Sequence, residues 1–278
     1  MNNVYEMVSE RIIAELAQGR IPWNKPWNGV RSGAYNRISR KPYSMLNQMI
    51  LKHSGEYATF KQWSDIGGKI RKGAKSEFVV FWKIIPSEIT EADGTKKEIG
   101  IPILRYYNVF HISQVEGVEP LEKPFVEVEP IEAADKLISD YVLRSGIHYT
   151  ETASNEAFYR PSTDEVVVPM KEQYQRINEF YSTTFHELTH STGAKHRLNR
   201  LESGLDAAFG GKTYSKEELV AEIGSASIMA RLGIETPETF KNSAAYCQSW
   251  LRVLKNDVKF IVSAASRAEK AVAYIYGE

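Results

Sequence analysis

Apolar residues recur at Val4, Met7, Val8, Ile12 and Leu16, a spacing of three and four that predicts an amphipathic helix over Val4–Ala17, ending near Gly19. Two prolines then break regular structure in Ile21-Pro22-Trp23-Asn24-Lys25-Pro26-Trp27. Short helices are predicted over 44–53 and 59–66, the second halted by Gly67-Gly68. Residues 77–85 and 101–111 read as two strands, with a polar connection containing Asp93-Gly94 as the hairpin loop. Residues 115–130 are rich in Glu and Pro, lack periodicity, and read as a linker. A helix over 131–144, short strands near 147–149, 157–159 and 165–168, and helices over 173–192, 215–232, 243–256 and 258–276 complete the pattern. A small sheet followed by helices is an α+β arrangement, and the break at 115–130 divides the chain into domains 1–114 and 131–278.

Composition narrows the class. With 42% hydrophobic and 25% charged residues the chain reads as soluble and globular. A single cysteine, Cys247, excludes both an internal disulfide framework and a Cys-based zinc site, and suits a reducing compartment. No segment has the apolar length to span a bilayer, and residues 1–20 lack the apolar core of a secretory signal. The expected location is cytoplasmic, with no membrane partner. A net charge of zero hides an asymmetry: residues 19–83 hold 13 basic and 3 acidic side chains, residues 84–278 hold 21 and 29. Trp23, Trp27, Trp63 and Trp82 all fall in the basic window. Opposite electrostatic characters predict two parts with different partners.

Candidate chemistry lies in Phe185-His186-Glu187-Leu188-Thr189-His190, inside the helix predicted over 173–192. A helix brings residues four apart onto one face, so His186 and His190 are candidate ligands of one metal ion. Glu187 is positioned to act on a water at that ion as the general base of a zinc-dependent hydrolase. A catalytic zinc site normally has three protein ligands, and two residues compete for the third place. His196 fits an extended pattern, His186-x3-His190-x2-Gly193-x2-His196, in which a glycine turns the chain and returns a third histidine. Glu218 lies on the helix predicted over 215–232, pressed to the core by Leu219, Ile223 and Ile228, and shares a face with Glu222. His196 sits between Lys195 and Arg197, a cationic setting that disfavours a metal. Glu218 is therefore favoured, with Glu222 expected to accept a hydrogen bond from a ligand histidine. Zinc is the expected ion, with another divalent metal such as Mn2+ as the alternative. The strand near 165–168 is a candidate edge for an extended peptide.

The basic half mixes flat rings, glycines and cations, the combination that single-stranded nucleic acid binding needs: cations track phosphate and aromatic faces stack on unpaired bases. The candidate DNA-binding residues are Trp27, Arg37, Arg40, Lys41, Tyr43, Lys61, Trp63, Lys69, Arg71, Lys72 and Lys75, with Gly67, Gly68 and Gly73 letting backbone approach phosphate. Trp82, within a predicted strand, is expected in the core. No helix-turn-helix or zinc-finger pattern favours duplex readout.

Several stretches together resemble the ArdC-type antirestriction proteins of conjugative plasmids and phages. They are Lys41-Pro42-Tyr43-Ser44-Met45-Leu46-Asn47, Thr59-Phe60-Lys61-Gln62-Trp63 with Gly67-Gly68 and Arg71-Lys72-Gly73, Phe185 to His190 with Thr192-Gly193, Glu217 to Gly224, and the helices over 243–274. The N-terminal domain of that family is also similar to part of plasmid-encoded primases. The resemblance covers nearly the whole chain. It implies an N-terminal domain that binds single-stranded DNA without strong sequence preference, a C-terminal zincin-like metallopeptidase domain, and protection of incoming mobile DNA from host restriction. The leading expectation is a DNA-tethered metallopeptidase acting on an unidentified protein substrate, with a restriction-system subunit as the candidate. The alternative is a non-catalytic DNA shield with a structural or vestigial metal site. A DNA mimic would need a strongly acidic surface, which the zero net charge and basic N-terminal half oppose.

Overall fold

The structure, a computed structural model, describes residues 3–23, 33–90, 96–121, 130–201, 212–234 and 244–278. Trp27, Asp93-Gly94 and residues 122–129 of the expected linker lie outside the described residues. Helix α1 (Val4–Ala17) has the predicted bounds. Asn3 caps it, its Oδ1 accepting from the Tyr5 N–H at 3.1 Å while Glu6 accepts from the Asn3 N–H at 3.2 Å. The stripe Val8, Ile12 and Leu16 is buried, as the spacing requires.

The N-terminal half is built on a four-stranded sheet in the order β1-β2-β5-β4. Its strands are β1 (Ala34–Asn36), β2 (Gly55–Ala58), β4 (Glu77–Thr90) and β5 (Lys96–His111); β1 runs parallel to β2 and the other pairs are antiparallel. Between them lie α2 (Met45–Ile50), α3 (Phe60–Asp65) and β3 (Lys69–Ile70). Strands β4 and β5 run longer than their pattern predicts. Beyond Val80 and Leu104 the hairpin exposes Ile84, Ile101 and Ile103, so its far end carries apolar side chains into solvent. The expected linker begins as structure: Val115–Glu116 forms β6, which pairs with β3 and packs Val115 on Trp63.

The C-terminal half contains α4 (Pro130–Ser145), β7 (His148–Thr152), β8 (Phe158–Arg160), β9 (Glu165–Pro169), α5 (Ile177–Ser191), α6 (Lys212–Leu232), α7 (Ala244–Asn256) and α8 (Phe260–Tyr276). The sheet order is β7-β9-β8. The strand near 165–168, expected as a peptide-binding edge, is the central one, with β7 parallel on one side and β8 antiparallel on the other. Its backbone groups are already paired, so edge addition at β9 is excluded.

Two large cores hold these elements together. One joins α4, β9, α5 and the ends of α6 and α8 through Tyr141, Val166, Phe185, Met229 and Ile275. The other sets the α1 stripe against Leu219 and Ile223 of α6, Trp250 of α7, and Phe260 and Ile261 of α8. The first helix of the chain thus shares its core with the last three. Among the described residues no helix is long and apolar enough to cross a membrane.

Candidate metal centre and candidate nucleic-acid interface

Helices α5 and α6 form the candidate metal centre where they cross. Gly224 allows the approach, since a Cβ there would lie 2.7 Å from Thr189 Cγ2 on α5. Ser225 Oγ donates to the Ser182 carbonyl at 2.7 Å and pins the same crossing. His186 and His190, one turn apart on α5, bring their Nε2 atoms within 3.1 Å of each other. Glu218 on α6 places Oε2 3.5 Å from His186 Nε2 and Oε1 3.3 Å from His190 Nε2. Donors each about 2.0–2.1 Å from a common tetrahedral centre stand about 3.3 Å apart, so this spacing fits one divalent cation. Glu187 is buried on α5 beside the pair.

The cluster's charges are strongly coupled. Burial lowers the His190 pKa, but the carboxylates of Glu217 and Glu218 outweigh it and push it up to about 10. Burial raises Glu218, yet hydrogen bonds from the two imidazoles hold it well below the usual carboxylate range.

Sequence reasoning missed Glu217 and Arg200. Glu217 Oε1 lies 3.5 Å from His190 Nδ1, the ring nitrogen turned away from Glu218. Glu222 is buried one turn further along α6, and the carboxylate at His190 Nδ1 is Glu217. Arg200 grips Glu217 with two donors, Nη2 to Oε1 at 2.7 Å and Nε to Oε2 at 3.1 Å. It also donates to the Thr189 carbonyl and the Thr192 hydroxyl, both at 2.8 Å. The Gly193 turn makes this possible, because a Cβ there would meet Leu201 Cγ at 2.9 Å. The glycine of the extended motif therefore returns Arg200, not a third histidine.

His196 is 60% exposed and its Nε2 faces Asp164 Oδ2 at 3.2 Å. That carboxylate belongs to a second buried cation, Arg197, which also donates to the Ser191 carbonyl at 2.8 Å. Burial raises the Asp164 pKa, but the Arg197 guanidinium wins and holds it below its ordinary value. A depressed carboxyl stabilises the fold fully above its unfolded pKa of about 3.9. That contribution is lost as pH falls through the lowered value. Asp164→Asn is therefore expected to cost about 3 kcal/mol at neutral pH, because Arg197 loses its partner. Urea midpoints of parent and variant should converge in strong acid; a gap that stays constant would remove the ion pair as its cause.

The expected DNA-binding residues divide. Trp63 is fully buried and donates from Nε1 to the Phe110 carbonyl at 2.9 Å, so it is core and presents no face to a base. Arg37 is turned inward onto Glu56 and onto the Glu119 carbonyl at 3.1 Å, which withdraws its charge from the surface. Tyr43 is half-buried, edge-on to Tyr57. Arg40, Lys41, Lys61, Lys69, Lys72 and Lys75 are exposed, as is Arg71, 3.5 Å from Glu116. Gly68, whose Cβ would meet Val115 Cγ1 at 2.8 Å, serves packing, whereas Gly67, which ends α3 with φ +85, and Gly73 both have open space where a Cβ would stand. Trp82, expected in the core, is 47% exposed because it lies where β4 leaves the body of the sheet. Tyr106 and Tyr107 of β5 were not anticipated and are exposed as well.

Comparison with known proteins gives this arrangement a family. Residues 2–110 match the model for the N-terminal domain of anti-restriction factor ArdC, and residues 132–267 that for a zincin-like metallopeptidase. An uncharacterized protein of Sinorhizobium fredii, y4eC, is 33% identical over 99% of this chain and 92% of its own length. A DNA primase TraC of Escherichia coli is 32% identical over 98% of this chain, which spans only 27% of the primase. Crystal structures of the antirestriction protein ArdC from plasmid R388 are 30% identical, metal-free and Mn(II)-bound, with TM-scores of 0.76 and 0.77. Each match covers 99% of this chain and at least 97% of the other. The chain, an ArdC-type N-terminal domain followed by a zincin-like domain, belongs to the ArdC family of antirestriction proteins.

Proposed function

We propose that this antirestriction protein of a mobile element binds single-stranded DNA through its N-terminal half and hydrolyses peptide bonds in a nearby protein through its C-terminal half. The observation that carries the reading is the meeting of His186, His190 and Glu218, whose donor atoms all lie within 4.8 Å of one another, next to buried Glu187. These three side chains would hold a divalent cation, zinc or manganese, which would supply Lewis acidity to a water and to the scissile carbonyl. Glu187 takes the proton of the attacking water and passes it to the leaving amine. Glu217 keeps the Nε2 of His190 turned towards Glu218 by facing its Nδ1. The exposed cations Arg40, Lys41, Lys61, Lys69, Lys72 and Lys75 support the DNA half of the reading, since such groups track phosphate. The protein would act in the cytoplasm, where entering DNA meets restriction enzymes, and a restriction-system subunit is the proposed substrate.

Metal analysis of purified protein loaded with Zn2+ or Mn2+ tests the ligand set. One equivalent is expected in the parent and in His196→Ala, and a large loss in Glu218→Ala. Full metal content in Glu218→Ala would overturn it.

A further inference from the structure

We propose that the cleft between the N-terminal sheet and α8 receives one unpaired nucleobase, with walls from both halves of the chain. The inference rests on the single-stranded-DNA reading above and gives it a location. The cleft has a volume of about 690 Å3, the size of a small-molecule site and ample for a nucleotide. Its flat wall is a ready platform: Phe81 on β4 and Tyr107 on β5 stack with centroids 4.5 Å apart and planes 2° from parallel. Tyr107 is nonetheless 54% exposed. An exposed ring held flat by a neighbour is costly to leave in water and well suited to stacking on a base.

The polar end of the cleft fits a base edge. Asn36 Nδ2 lies 3.4 Å from Tyr43 Oη and 3.5 Å from Gln62 Oε1, contacts so long that the amide retains capacity to donate to a base oxygen or ring nitrogen. One cation lines the cleft and a second stands beside its aromatic wall. Lys61 lines the cleft and is exposed, and Arg105, paired with Phe81 in the β4–β5 register, leaves the sheet from the same face. A lining of rings and amides with cations at its margin matches a base inside and phosphates outside. Ser266 of α8 also lines the cleft, and Glu269 of α8 accepts from the Met45 N–H at 3.2 Å, tying α8 to α2.

Fluorescence anisotropy of the full chain with labelled oligothymidylate, and with an abasic strand of equal length, tests the cleft. Tyr107→Ala removes the platform, Tyr107→Phe keeps it, and Ser266→Phe fills the space from α8. Both Tyr107→Ala and Ser266→Phe are expected to weaken oligothymidylate binding about tenfold, whereas Tyr107→Phe binds as the parent does. All four proteins should bind the abasic strand alike, because its phosphates are unchanged. Oligothymidylate affinity unaltered in both Tyr107→Ala and Ser266→Phe would overturn the cleft and leave DNA binding standing. A parent that bound neither strand would overturn both.

Discussion

Replacing Glu187 by Gln is expected to slow the proposed peptide hydrolysis by a factor of about 10^2–10^4 without altering metal content or fold. Glutamine has nearly the same shape, and Glu187 is not among the three side chains whose donors converge, so the metal should remain. The carboxamide cannot take up a proton from water, so the loss falls on the chemical step. A factor of that size is about 3–5 kcal/mol of barrier, well above the fraction of a kcal/mol expected from a near-isosteric change. The most informative readout is biological: transfer of an unmodified plasmid into a restricting host, normalised to a non-restricting one. Under the hydrolytic reading Glu187→Gln should protect no better than absence of the protein. If the variant protects as the parent does, with its metal bound, hydrolysis is not how the DNA survives, and the shield remains.

The meeting of His186, His190 and Glu218 was legible because its logic is local. Residues four apart on a helix face the same way whatever surrounds them, and the apolar stripe of 215–232 turned Glu218 inward for a reason visible in one dimension. Helix α1 was legible for the same reason. What escaped depends on pieces distant in sequence. Arg200 carries no local mark of burial; it becomes a core cation because the Gly193 turn folds 198–201 back onto α5 and presents it to Glu217. Strands β1 and β2 are three and four residues long and exist through pairing, Tyr57 with His111 and Ala58 with Phe110, not through alternation of their own. A basic window rich in aromatic residues does not say which of its rings are exposed. Trp63 is buried against Ala58 and Val115, whereas Trp82 is exposed where β4 outruns the body of the sheet, and no window of composition encodes either.

Removing Arg200 is expected to destabilise the fold by about 3 kcal/mol, because Glu217 would lose its two-point partner in a buried site and keep only the longer contact at His190 Nδ1. Only 6% of the Arg200 side chain and 11% of that of Glu217 is exposed, so water does little to screen the pair. Glu217 faces two ways, towards Arg200 and towards His190 Nδ1, and the two contacts should separate experimentally. Arg200→Met keeps the carboxylate at His190, so its main loss should be stability, read as the urea midpoint of metal-stripped protein. Glu217→Gln still offers an oxygen to Arg200 but weakens the hold on His190. Its main loss should be metal affinity, about 10–100-fold as for other groups that orient a ligand histidine. The double variant Arg200→Met, Glu217→Leu removes both charges and should recover much of the stability lost in Arg200→Met, without recovering affinity. If metal affinity instead followed the urea midpoint across all three variants, Glu217 would be a packing residue, and the orientation of His190 would have to come from the α5 helix alone.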